Sequence, residues 1–174
     1  MLKMKLLQIA LAATLLAGCN IQEQRREAAQ VRWERVTVKA KVIVAEEFFQ
    51  NSRYPETEKL LTEAIASDPQ FASAHLLMGK LQFAQTKIAL AEKSFDTAVA
   101  LDKNMHQGWY FKGLIDQQNK KPADALANYK KAMAIQPDNN EYITAVMQMY
   151  DAGQDDKKAI GRLERENNLL PDRV

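Results

Sequence analysis

Cys19, His75 and His106 are the residues of this 174-residue sequence whose side chains have the most versatile chemistry. A thiol can act as a nucleophile, metal ligand or redox group, and an imidazole can move protons or bind metal. Cys19 is the single cysteine, which excludes an intramolecular disulfide and any multi-cysteine metal site. It ends an apolar run, so it is a buried thiol, a reactive group, or the end of a segment outside the fold.

The histidines and carboxylates do not form a predicted active site. His75 and His106 occupy different positions of the sequence period described below, so no paired metal site is implied. Acidic pairs such as Glu46–Glu47 and Asp155–Asp156 are common on exposed helix faces and in turns. The segment around the second pair is too short for a calcium loop, and no glycine-rich phosphate loop occurs. We therefore predict no enzymatic activity, no metal site and no dissociable cofactor.

The composition is that of an ordinary folded protein. Hydrophobic residues make up 47% and charged residues 26%, with six glycines and five prolines, which argues against low-complexity disorder. Two of the basic residues, Lys3 and Lys5, lie in the first five positions, and the rest of the chain balances 22 basic against 22 acidic residues. Nucleic-acid-binding domains usually carry a basic excess, so no nucleic-acid partner is predicted.

Residues 1–18 have the pattern of a secretory signal. Lys3 and Lys5 form a basic start, and an apolar run from Leu6 to Ala17 follows. This run is well short of the roughly 20 residues that a membrane-spanning helix needs. A core helix would show polar positions every three or four residues, and this run has few. The sequence therefore predicts a signal peptide that is removed.

Leu16, Ala17, Gly18 and Cys19 resemble the lipobox of bacterial lipoproteins. The resemblance implies cleavage between Gly18 and Cys19, a diacylglycerol on the thiol and an acyl chain on the new amino group. Each chain adds about 0.8 kcal/mol of membrane affinity per buried methylene, so several hold a protein at a bilayer surface. The alternative is an ordinary secretory signal with a chance cysteine. Asn20, where aspartate would retain a lipoprotein in the inner membrane, favours by resemblance the outer membrane and a periplasm-facing protein.

Residues 19–37 separate this signal from the repeats. They contain no glycine, proline or serine, and they predict a polar helix or a short solvated stem. Arginines at 25, 26, 32 and 35 could meet anionic headgroups, but the interspersed glutamates at 23, 27 and 34 favour a solvated face.

Several residue series recur at a spacing of 34. Gly79 and Gly113 are 34 residues apart, and Pro137 and Pro171 have the same separation. Further series at this spacing are Ala91, Ala125 and Ala159; Ala64, Ala98 and Ala132; and Phe95, Tyr129 and Leu163. Agreement between independent series predicts four repeats, at 38–71, 72–105, 106–139 and 140–173.

The third unit resembles the tetratricopeptide repeat most closely. Its matching residues are Trp109, Gly113, Ala125, Tyr129, Ala132 and Pro137, and the second unit carries Gly79, Ala91 and Phe95 at equivalent positions. The fourth unit is weakest, with Met147 in place of glycine. The resemblance implies an all-α, right-handed α-solenoid of about four helix-turn-helix repeats over residues 38–174.

In this prediction, small and large residues have different roles in helix packing. Glycines and alanines at 79, 91, 113 and 125 let paired helices approach closely, and Phe95 and Tyr129 fill the space toward the next pair. Leu163, Leu169 and Leu170 lack a polar capping helix, so either the sequence is truncated or they meet another subunit or partner.

In this family the first helix of each repeat lines a concave groove. The predicted groove residues are Val42, Phe49, Leu76, Lys80, Phe83, Tyr110, Phe111, Leu114 and Gln148. We expect a groove that is apolar and aromatic in the middle and acidic at its C-terminal end, which suits an amphipathic helix or extended peptide. Leu76 and Phe111 could individually pack between helices instead. Val42 and Leu76 also replace the family's clamp for a C-terminal carboxylate.

These features predict a lipid-anchored scaffold that binds another envelope protein or peptide and helps a complex assemble. Lipoproteins of this build include, by resemblance, the pilotins of type IV pili. The alternative is an adaptor that recruits or regulates peptidoglycan or polysaccharide-export enzymes. The sequence leaves the oligomeric state open.

Overall fold

The computed structural model of the protein describes the backbone of residues 2–151 and the side chains of residues 22–30 and 32–151. Seven α-helices lie in this part of the chain: α1 Leu2–Gln50, α2 Tyr54–Ser67, α3 Ala72–Ala84, α4 Ile88–Leu101, α5 His106–Gln118, α6 Pro122–Ile135 and α7 Asn140–Asp151. Each helix packs against the next, with the closest association within the pairs α1–α2, α3–α4 and α5–α6. The prediction of an all-α chain of helix pairs is confirmed for these residues.

The first helix, α1, is much longer than its partners. It contains 49 residues. It runs without a break through the predicted end of the signal peptide, after residue 18, and through the predicted end of the stem, after residue 37. None of the described helices combines the length and the sustained hydropathy of a membrane-spanning segment. The predicted lipid on Cys19 and the leucines at 163, 169 and 170 fall outside the described side chains.

The turn inside each helix pair has the same backbone conformation. Ser52, Thr86 and Lys120 have φ angles of 58°, 60° and 59°, and they are spaced 34 residues apart. The amide of the following residue bonds back to a carbonyl five positions earlier, as Arg53 N does to Phe48 O at 2.8 Å. This pattern ends a helix with a left-handed residue, a position that glycine normally fills. The backbone of these three residues is therefore held in a left-handed conformation, which costs free energy for residues other than glycine.

The connections between pairs also repeat. Asp68 and Asp102 end α2 and α4 in extended conformation, and each carboxylate accepts an amide two residues later, from Gln70 at 3.0 Å and from Asn104 at 2.9 Å. These bonds satisfy backbone amides of the connections themselves, so the short connections are fixed locally.

Size complementarity sets the approach of the paired helices. A Cβ atom on Gly79 would lie 2.6 Å from Cε1 of Phe95, and a Cβ on Gly113 would overlap Tyr129 in the same way. Ala91 and Ala125, beside these rings along their helices, are fully buried. The Tyr129 hydroxyl donates a hydrogen bond to Gln117 Oε1 at 2.7 Å, which satisfies its buried polar atom.

The core consists of three consecutive clusters along the stack. The first holds Val38, Val42, Ala45, Leu61, Ala64, Ala74, Leu77 and Leu81; the second holds Leu76, Ala91, Phe95, Ala98 and Ile115; the third holds Ala125, Tyr129, Ala145 and Val146. Each cluster joins side chains from successive helices, so the stacking of repeats buries the apolar faces that one pair would leave exposed.

Trp109 and Pro137 lie at the edge of this core. The Trp109 ring is half-buried, with its Nε1 donating to Lys103 O at 3.0 Å and Lys131 Nζ 4.1 Å from the ring centre. Pro137 is half-buried in the connection between α6 and α7. Both residues therefore support the stack from its surface.

Candidate protein-interaction groove

Two adjoining cavities open between the helices α1, α3, α5 and α7. The first, of about 360 Å³, is lined by Phe49, Lys80, Phe83, Ala84, Gln107, Tyr110, Phe111, Asn139, Glu141 and Tyr142. The second, of about 310 Å³, is lined by Tyr110, Leu114, Gln117, Tyr129, Asn140, Glu141, Thr144, Ala145 and Gln148. Tyr110 and Glu141 belong to both, so we treat the two cavities together as one surface, the groove.

An unbroken set of aromatic contacts forms the floor of the groove. The Phe111 ring lies 5.6 Å from Phe83 edge-on and 5.0 Å from Phe95 in a stacked arrangement. Tyr110 continues the floor, with its ring 5.8 Å from Phe111 and 5.1 Å from Tyr142. Aromatic pairs at these separations stabilise a fold by more than their buried area alone, so these contacts help to hold the floor together. Phe83, Tyr110 and Phe111 are only partly buried, which leaves apolar surface for a partner.

The groove carries opposite charges on its walls. Lys80 lines the first cavity, and the exposed Glu141 lies where the two cavities meet. Burial raises the pKa of Tyr110 far above its usual range, and its hydrogen bond with the Glu141 carboxylate raises the pKa further. Burial also raises the pKa of Tyr142, with a smaller contribution from Glu141. Both phenols therefore stay neutral at physiological pH and act as hydrogen-bond donors.

His106 is joined to the groove through Tyr142. Its Nδ1 lies 2.6 Å from the Tyr142 hydroxyl oxygen, and the two ring centres are 5.7 Å apart. Burial lowers the pKa of His106, and the positive charge of Lys80 lowers it further. The ring is therefore held in its neutral form, in which Nδ1 can accept a hydrogen bond from the Tyr142 hydroxyl.

Tyr142 is a residue of the groove wall that the sequence did not single out. It is 2% exposed, and it contacts both Tyr110 and His106. The positions one and two periods earlier hold Gly108 and Ala74, so no recurring aromatic marks this place. Only the change from small to large in the last described helix could have indicated it.

Most of the predicted groove residues line one of the two cavities. Phe49, Lys80, Phe83, Tyr110 and Phe111 lie around the first, and Leu114 and Gln148 lie around the second. Phe49 and Phe111 also pack against core clusters, so they are both structural and accessible.

Val42 and Leu76 are placed differently from their prediction as groove residues. They are 9% and 8% exposed and belong to the first and second core clusters. Val42 packs with Ala45 and Leu61, and Leu76 packs with Phe95, because their helix faces turn toward neighbouring helices. They therefore offer a partner almost no surface, whereas Tyr110, the equivalent residue of the third repeat, is only partly buried and lines both cavities.

Within residues 22–30 and 32–151, no group of three histidine, cysteine, aspartate or glutamate side chains is arranged to hold a metal ion. His75, the other histidine, has its Nε2 2.9 Å from Pro69 O. The chemistry that the described groove offers is hydrogen bonding, apolar contact and charge complementarity.

Comparison with known sequences gives one family and several distant relatives. A sequence profile described as tetratricopeptide repeat matches residues 45–105 and, overlapping them, 76–140. The chain is 26% identical over 127 residues to anaphase-promoting complex subunit 3 of Schizosaccharomyces pombe, which is 73% of this chain and 19% of that protein. It is 30% identical over 87 residues to human protein O-mannosyl-transferase TMTC3, which is 49% of this chain and 10% of that protein. The chain thus spans less than a fifth of these curated relatives.

Solved structures share the fold at low sequence identity. The first repeat domain of Spaghetti (RPAP3), bound to the HSP90 peptide SRMEEVD, superimposes with a TM-score of 0.63 at 19% identity, covering 68% of this chain and 94% of that one. MamA superimposes with a TM-score of 0.64 at 18% identity, covering 76% of this chain and 80% of that one.

Proposed function

Because this chain belongs to the tetratricopeptide repeat family, we propose that it is a scaffold whose groove binds a segment of another protein. The observation that carries the proposal is the partly exposed aromatic floor formed by Phe83, Phe111 and Tyr110. A monomer gains nothing from leaving such a surface in water, whereas a partner's apolar side chains would bury it.

The charges of the groove define the segment that it accepts. An amphipathic helix or an extended peptide would place its apolar side chains over Phe83 and Tyr110. An acidic group of the partner would lie near Lys80, and a basic group would lie near Glu141. The similar RPAP3 domain is described with a bound peptide, which supports the use of this fold for peptide capture. Val42 and Leu76 are core residues here, so we do not assign the groove to C-terminal carboxylate recognition.

The second part of the proposal is the location. The lipobox-like residues 16–19 support a lipid anchor on Cys19, and Asn20 supports an outer-membrane, periplasm-facing protein. An anchored scaffold of this kind would meet its partner at the cell envelope and assist the assembly or stability of a complex, as a pilotin does. The partner is then a subunit of that complex.

The groove is tested by recovering the envelope partner with purified variants. Lys80→Glu combined with Phe83→Ala should reduce recovery at least tenfold, because it reverses one charge and removes part of the floor. Leu90→Ala is the matched control, since Leu90 is 52% exposed on α4 and lines neither cavity. Equal recovery by the groove variant and this control, with both folded, would place binding elsewhere. Recovery of a peptidoglycan or polysaccharide enzyme instead of a complex subunit would favour an adaptor role.

A further inference from the structure

An apolar stripe on α1 lies apart from the groove. Trp33, Val36 and Ile43 are 72%, 56% and 61% exposed, and Ala40 lies between the last two. Their spacing of three, four and three residues places them on one side of the helix. The opposite side of α1, through Val38, enters the first core cluster. No described element covers this stripe, which we define as Trp33, Val36, Ala40 and Ile43.

The repeat register shows what covers the equivalent of Ala40 in the later repeats. Ala74 and Gly108 stand one and two periods after it, and both are buried. A Cβ atom on Gly108 would lie 2.7 Å from Cγ1 of Val99, so α4 passes directly over that position. A small residue here lets another helix approach closely, and Ala40 keeps that property at an exposed site.

The register of Ile43 leads to the same conclusion. Leu77, one period later, is 2% exposed and shares a core cluster with Leu61 of α2. Phe111, two periods later, stacks on Phe95 of α4. In both later repeats, the second helix of the preceding repeat therefore covers these positions. The stripe has the shape of a helix-receiving face without a described helix on it.

The charges beside the stripe restrict the helix that fits. At about 100° per residue, the half of α1 that carries the stripe also carries four exposed basic side chains, Arg25, Arg26, Arg32 and Lys39, and one exposed acid, Glu47, four residues after Ile43. Glu27 and Glu34 fall on the other half. An antiparallel second copy would bring Arg32 near Glu47 of the other copy but Lys39 against Lys39, whereas a helix with acidic flanks pairs favourably with every one of these basic side chains.

We propose that the stripe docks an amphipathic helix of another protein whose apolar face is flanked by acidic residues. The docked helix takes the place that α2 takes on α3 and α4 takes on α5. Its apolar side chains bury Val36 and Ile43, and its acidic residues lie beside Arg32 and Lys39. The protein would then hold two partners, or two segments of one partner, at separate surfaces.

The experiment uses a helix that already fits the equivalent face. The probe is a capped synthetic peptide of residues 54–67, which is α2 and carries three glutamates and one lysine. The full chain is placed in nanodiscs of zwitterionic lipid. The chain has two tryptophans, so the substitution Trp109→Phe leaves Trp33 as the only one that contributes to the fluorescence. We expect the peptide to shift Trp33 emission to the blue in a saturable way. A peptide with its glutamates changed to lysine should bind about tenfold more weakly.

Matched variants decide the outcome. Ile43→Glu should abolish the shift, and Lys80→Glu in the groove should leave it unchanged, so failure of the groove proposal does not affect this test. Circular dichroism of both variants checks that they are folded. Absence of a saturable shift, or a shift that survives Ile43→Glu, would overturn the proposal. A blue shift in anionic nanodiscs without peptide would assign the stripe to the membrane surface, and a cross-link from residue 43 to a second copy would assign it to self-association. Either result would also overturn the proposal.

Discussion

The ring of Phe95 occupies the space into which a Gly79 side chain would project, with only 2.6 Å between a Cβ on Gly79 and the ring. In the first repeat, the residues one period earlier are Ala45 and Leu61, and both are fully buried. Alanine is larger than glycine and leucine is smaller than phenylalanine, so this pair also fills the space between the two helices. A larger residue on one helix is thus matched by a smaller one on its partner.

Gly79→Ala should lower the free energy of unfolding by about 1–3 kcal/mol, because the methyl group overlaps the Phe95 ring. Alanine's better helix propensity offsets only part of this cost. Urea unfolding measures the effect. Adding Phe95→Leu should recover much of it, since the pair then copies Ala45 and Leu61. Strict additivity of the two single changes would contradict the size matching.

Thr86→Gly should raise the free energy of unfolding by about 1 kcal/mol, because glycine relieves the left-handed conformation at φ 60°. Thr97→Gly, inside α4, is the matched control and should lower it by a few tenths of a kcal/mol, because glycine is a poorer helix former than threonine. Thermal and urea unfolding of both variants test the prediction. A loss of stability in both would show that the turn carries no backbone strain.

The neutral state of His106 should make stability depend on pH. Burial and Lys80 lower its pKa in the folded protein below the ordinary 6.5, so the unfolded chain binds protons more readily below that pH. This contribution to stability is fully present above pH 6.5 and is lost as the pH falls below it. The urea concentration at the unfolding midpoint should therefore decrease as the pH is lowered from about 7.5 to 5.5 in the native sequence. The decrease should be smaller in His106→Gln.

His75→Gln provides the control for that measurement, because it removes the other histidine and leaves the contact with Tyr142 intact. Its urea midpoints should follow the native pH dependence. If His106→Gln retains the full dependence, other groups are responsible for it.

Cys19→Ser should release the protein from the membrane fraction, because the proposed lipid needs the thiol. Incorporation of labelled palmitate should disappear in the same variant, and globomycin should leave the unprocessed precursor in cells expressing the native sequence. Continued fractionation of the Cys19→Ser protein with membranes would contradict the lipid anchor.

The extent of sequence-based prediction differs between the fold and the groove. Helix pairs and their register follow from recurring residues such as Gly79 and Gly113, since each repeat solves the same local packing problem. Phe83 and Tyr110 were placed in the groove by their position in the repeat, and both line it. Val42 was assigned by the same rule and is buried in a cluster with Leu61, as Leu76 one period later is buried with Phe95, so this repeat position lines the groove at Tyr110 but not in the first two repeats.

By itself, the sequence determined the period, the recurring positions of its small and large residues and the single cysteine next to a lipobox-like run, because these depend on residue type and spacing alone. Only the tertiary structure decided that Tyr142 joins His106 to the groove, that Thr86 is left-handed and that Ile43 stays exposed. The reason is physical. The exposure and hydrogen-bond partners of a side chain depend on which helix packs beside it, and the first repeat has no described helix in front of it.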